Sequence, residues 1–74
     1  MKRFQRAKLE RQVGDVRREL SGWAATYRTI VAPENAHLYD QHQLQVAGDR
    51  SYYLEYAAEM ARQLEELLRR QVMP

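Results

Sequence analysis

The sequence contains no cysteine. That excludes a disulfide framework and a thiolate zinc site, and it suits a reducing compartment. Its 3 glycines and 2 prolines stand apart from one another, so no Gly-rich loop can cradle a phosphate and no low-complexity tract is present. No apolar run approaches the roughly 18 residues that a membrane span needs. The first residues, MKRFQRAKLERQ, are basic but lead into no apolar stretch, so a secretory signal is not expected and a cytoplasmic location is. There is no strand signal. Ser21, Ser51, His37 and His42 form no recognisable nucleophile arrangement. His37 and His42 are five apart, on different faces of a helix, whereas helical metal pairs stand three or four apart. Glu34-x-x-His37 has a carboxylate–histidine spacing, but a di-iron bundle needs two such motifs and two further glutamates. The expectation is a protein that is not an enzyme and holds no cofactor or metal.

What is present is one short chain of 74 residues, read as a single domain over residues 1–74, in which 30% of residues are charged. A domain of this size has a small core and is marginal unless stapled or oligomeric. Ten of its 12 basic residues are arginine. The net charge of +2 is unevenly placed: residues 1–18 carry seven Lys/Arg against Glu10 and Asp15, a net of +5, and the remainder carries a net of −3. The basic segment is the best signal for nucleic acid, because Lys and Arg at a helix end can neutralise phosphates. Arg3, Lys8, Arg11, Arg17 and Arg18 nevertheless scatter over an outer face, and in an antiparallel hairpin that end lies beside Glu59, Glu65 and Glu66.

Leu9, Val13, Val16, Leu20, Trp23, Tyr27 and Ile30 are spaced 4-3-4-3-4-3, the seam of a helix packed lengthwise on another helix. Gly14 and Gly22 lie off that seam, and one helix is expected over residues 3–31. Ala32-Pro33 ends it, since a residue before proline is pushed out of helical geometry. Pro33 suits the first turn of a second helix, expected over residues 33–71, with Glu34 favouring its positive end. Tyr39, Val46, Tyr53, Met60 and Leu67 recur every seven residues through Gly48, with Ala57 and Leu64 between them. That register favours one continuous helix, with a break near Gly48 giving three helices as the alternative. Glu65–Arg69 and Glu66–Arg70 have ion-pair spacing. The fold class is therefore all-α, an antiparallel helical hairpin.

Tyr53, Ala57, Met60, Leu64 and Leu67 are assigned to the hairpin seam. Leu54, Ala61 and Leu68 form a stripe to one side, and Tyr52 and Tyr56 sit on the other. This face is wider than one facing helix covers, so a homodimer forming a four-helix bundle is expected to bury the surplus. Tyr52 and Tyr56, with Arg50 just before them, are candidates for contact with a partner protein, because tyrosine and arginine dominate interface hot spots. Trp23, Tyr27 and Arg28 form a similar group on the first helix, although Trp23 and Tyr27 also read as core. Tyr39 lies near the hairpin tip among His37, Asp40 and His42, either as a recognition residue or as a staple on Ile30 or Val31.

In size, hairpin pattern, arginine-rich composition and aromatic-studded surface, with Trp23, Arg28, Tyr39 and the Tyr52/Tyr56 pair as the contact candidates, the chain resembles small phage-encoded host-takeover proteins. Among them it resembles the anti-activators that bind a quorum-sensing transcription regulator, some of which also bind a type IV pilus ATPase. The resemblance implies a non-catalytic inhibitor that masks a surface on a host protein. A small secretion-type chaperone, an assembly coiled coil and a nucleic-acid-binding module are the alternatives. No membrane partner is expected.

Overall fold

The structure is a computed structural model that describes residues 3–70. Lys2 and the expected end of the second helix at residue 71 lie outside them. Two helices make up the fold: α1 over Arg3–Val31 and α2 over Gln41–Arg70. No strand occurs among the described residues.

α1 is free of proline, and Arg28 in its last turn suits the negative end of the helix dipole. It ends in a turn in which the Asn35 N–H donates to the Ala32 carbonyl at 2.9 Å, with Pro33 at the second position that fixes its backbone. The Asn35 side-chain amide donates to the Thr29 carbonyl at 3.1 Å, a second donor to a helix-end carbonyl that the Ala32 N–H already reaches at 3.3 Å. A single 3-10 turn, Ala36–Leu38, follows.

The second helix thus begins at Gln41, later than Pro33 suggests. A reciprocal cap fixes this start. The Gln43 N–H donates to Asp40 Oδ1 at 2.7 Å, and the Asp40 N–H donates to Gln43 Oε1 at 3.0 Å. Two otherwise orphaned donors are satisfied at once, an advantage that the stretch from Pro33 cannot match. α2 then runs through Gly48 without interruption, and no glycine has a positive φ.

The helices pack antiparallel. Glu10 meets Arg69 and Arg17 meets Glu65 toward the open end, while Tyr27 meets Arg50 toward the tip. The line of contact differs from the expected seam. On α2 the buried residues are Ala47, Ser51, Ala58 and Leu68, with Leu54, Ala61 and Glu65 half-buried between them. Tyr53, Met60, Leu64 and Leu67 are exposed. On α1 the buried residues are Gly14 and Ala24, so Gly14 lies in the contact and Trp23 does not.

The reason is size. α2 carries two interleaved heptad stripes. The one through Ala47, Ser51, Leu54, Ala58 and Ala61 has mostly small side chains, which let the two backbones approach. A Cβ placed on Gly14 would stand 2.9 Å from Glu65 Oε1, so at that end it is the Glu65 side chain that fills the space the glycine leaves. The larger residues of the other stripe remain outside.

The hairpin measures 54 × 16 × 13 Å. Its smallest dimension is about that of one helix with its side chains. It is a single layer, whereas a stable domain ordinarily stacks two around a core. Its buried apolar residues are Ala24, Ala47, Ala58 and Leu68 alone among the described residues.

Candidate functional site

A single layer of two helices has two broad faces, and here they differ in chemistry. Successive residues turn by about 100° around a helix. Leu9, Val13, Val16, Leu20, Trp23, Tyr27 and Ile30 therefore fall on one side of the contact line of α1. Val46, Tyr53, Ala57 and Leu64 fall on the corresponding side of α2, with Met60 and Leu67 at its outer margin. Two shallow grooves confirm that these sides adjoin. Trp23, Tyr27, Arg50, Tyr53 and Leu54 line one. Tyr27, Ile30, Tyr39, His42, Val46 and Arg50 are among the residues of the other.

Tyr27 and Arg50 belong to both grooves and tie them together. Arg50 Nη1 donates to the Tyr27 hydroxyl at 3.2 Å, and its guanidinium carbon lies 5.5 Å from the ring centroid. Trp23 packs one turn away, its ring centroid 6.5 Å from that of Tyr27 at a tilt of 33°. An arginine flanked by aromatic rings gives this face one cation in an otherwise apolar strip. Trp23 remains 52% exposed and Tyr53 68%.

The opposite face is ionic. Arg17 donates to Glu65 at 2.7 Å, and Arg28 pairs with Glu55 across the helices. Arg62 bridges Glu59 and Glu66 on α2. Hydrogen bonds from Arg62, and secondarily from Gln63, hold the Glu59 carboxyl down at about 2 from its ordinary 4.5. The same Glu59 contact raises the Arg62 guanidinium further above its ordinary range. Arg69 reaches both Glu10 at 3.0 Å and Glu65 at 3.7 Å. Glu66 is held by Arg62 rather than by Arg70, because the i−4 arginine already spans Glu59 and Glu66.

The six candidate contact residues are divided among three places. Trp23, Tyr39 and Arg50 gather on the apolar face around Tyr27. Arg28 lies on the ionic face, committed to Glu55. Tyr52 and Tyr56 lie along the outer edge of α2, turned away from α1 and 66% and 59% exposed. The Tyr52 ring meets Tyr53 edge-on, centroids 5.4 Å apart, so the outer edge is continuous with the apolar face. Tyr53, assigned to the hairpin contact by its heptad position, lies instead on the apolar face beside Trp23 and Tyr27, and Ser51 and Leu54 occupy the contact line at that level.

The Tyr27–Arg50 pair was hidden in the sequence, since its members are 23 residues apart. Its only advance sign was that both flank aromatic groups. The Asp40–Gln43 cap was visible as Asp-x-x-Gln before an apolar run, and Pro33 obscured it.

Among the described residues no group of three or more His, Cys, Asp or Glu is placed to hold a metal. No helix there is long and apolar enough to cross a membrane. No family model, curated protein or solved structure matches the chain.

Proposed function

We propose that this chain is a non-catalytic protein-interaction module acting in the cytoplasm. Two copies pair through their apolar faces into a four-helix bundle. The outer tyrosines of α2, Tyr52 and Tyr56, then bind a partner protein and mask a surface on it. By its build, the class of target is a regulatory host protein such as a transcription regulator, and the effect is inhibition.

The observation that carries this reading is the one-sided placement of large side chains on a single layer. Trp23, Tyr53, Leu64 and Leu67 stand outside the hairpin contact while alanines fill it. A continuous apolar face of this kind marks an interface rather than a free surface. Two-fold dimers are the commonest way to cover one. The outer tyrosines lie beyond that face, where a second partner can reach them.

Light scattering tests the first half: the expected mass is twice the 8.8 kDa of the chain, falling to one copy in W23A/Y53A. Capture from nuclease-treated bacterial lysate tests the second. A discrete protein is expected with the wild type and is lost with Y52A/Y56A, which stays dimeric. A monomeric wild type overturns the first half, and capture that ignores Y52A/Y56A overturns the second. Recovery of material only without nuclease would move the function to the basic end, although Arg17 and Arg69 there are already held by Glu65 and Glu10.

A further inference from the structure

The apolar seam of α1 is symmetric about its own middle. Counting outward from Leu20, Val16 matches Trp23, Val13 matches Tyr27 and Leu9 matches Ile30. Two of the three matches, Val16 with Trp23 and Val13 with Tyr27, place a small aliphatic side chain opposite an aromatic one, and Leu9 with Ile30 pairs two aliphatics of equal size. The face of α2 behaves alike: the large Tyr53 lies toward the tip, and Leu64 and Leu67 lie toward the open end. The aromatics Trp23, Tyr27 and Tyr53 of the apolar face thus all lie in the tip half, and the open half of that face is aliphatic.

Charge follows the same division. The open half, residues 3–20 and 59–70, holds nine Arg/Lys against six Asp/Glu, a net of +3. The tip half, residues 21–58, holds Arg28 and Arg50 against Glu34, Asp40, Asp49 and Glu55, a net of −2.

From these two gradients we infer that the second copy lies head to tail across the apolar face, its negative, aromatic tip over the positive, aliphatic open end of the first. The two-fold axis passes close to Leu20, and α1 of one copy runs antiparallel to α1 of the other. Trp23 then packs over Val16 of the second copy and Tyr27 over Val13. The tip-to-tip alternative crowds Trp23, Tyr27 and Tyr53 of both copies into one half and sets like charge on like charge, which costs stability in any interface. The inference rests on the dimeric reading above and adds its register.

Because the chain has no cysteine, a single introduced thiol reports position without interference. Glu34 is exposed in the turn at the tip. A spin label on E34C is expected to give an inter-copy distance of about 40 Å, twice the reach from Leu20 to the tip at about 1.5 Å per residue, against the 54 Å length of the hairpin, measured by double electron–electron resonance. A distance under about half that length in a protein that is still dimeric overturns the head-to-tail register while leaving the dimer intact. A monomer by light scattering overturns both. As a second measurement, L20C is expected to form a disulfide-linked dimer on mild oxidation. An L20C dimer that stays wholly uncrosslinked overturns the placement of the axis.

Discussion

Arg17 Nε and Glu65 Oε2 meet at 2.7 Å between the two helices, over the space that Gly14 leaves free. The Glu65 carboxylate is the more enclosed partner, with 14% of its side chain exposed against 30% for Arg17. A charge-assisted bond in a partly enclosed site contributes more than a surface pair. Glu65→Ala is expected to lower stability by about 1–2 kcal/mol, against less than about 1 kcal/mol for Asp15→Ala, whose pair with Arg18 is exposed. Urea denaturation of the two variants at one protein concentration checks the order.

The three glycines respond differently to alanine. Gly22 has nothing within 4 Å of a new Cβ, and at Gly48 the nearest atom is Val31 Cγ1 at 3.9 Å, an ordinary contact. Both substitutions remove backbone freedom from the unfolded chain at no steric cost. Each is expected to stabilise by about 0.5–1 kcal/mol. At Gly14 the methyl group would press on Glu65 Oε1 at 2.9 Å and displace the Arg17 pair. Gly14→Ala is therefore expected to gain less than Gly22→Ala or to destabilise outright, and thermal melts of the three variants would show it.

The cap on α2 has a separable contribution. Asp40→Ala leaves the Gln43 N–H without its acceptor, at an expected cost of about 1 kcal/mol. Asp40→Asn retains a capping acceptor and is expected to recover most of that loss. A Pro33→Ala variant, by contrast, is not expected to move the start of α2, and amide exchange at residues 41–44 would report any shift.

Stability should also depend on pH through Glu59. Its carboxyl titrates at about 2 in the folded hairpin, below its ordinary 4.5, because Arg62 and Gln63 donate to the charged form. Between those values the unfolded chain binds the proton and the folded one does not. The contribution is therefore complete above about 4.5 and is lost as pH falls toward 2. Glu59→Gln is expected to flatten that stretch of the curve of melting temperature against pH and to leave the slope above pH 5 unchanged.

The helical class and the hairpin topology were legible because the α1 heptad and the Ala32-Pro33 boundary are local signals. The facing residues were not. Hydrophobic size marks the face that wants cover, but it does not say whether the neighbour is the same chain or another molecule. In α2 the bulkier stripe through Tyr53 and Met60 drew the assignment, whereas close approach of two backbones selected Ala47, Ser51 and Ala58. The tip was misread for a related reason: Pro33 is compatible with a helix start, but Asp40 and Gln43 make one. Among the contact candidates, exposure of Tyr52 and Tyr56 follows from their helix phase alone. The meeting of Trp23, Tyr39 and Arg50 needed the register between helices, which no local pattern contains.

The contacts between the helices are nested. Gly48 faces Val31, Arg50 meets Tyr27, Glu65 meets Arg17, and Arg69 meets Glu10, with 17, 23, 48 and 59 residues separating each pair in turn. The entropy of closing a loop rises with its length, so each contact formed shortens the loop that the next must close. Assembly is therefore expected to run from the turn outward like a zip, and opening in reverse. The last turn of α2 around Arg69 should exchange its amide hydrogens well before the turn around Ala47 does.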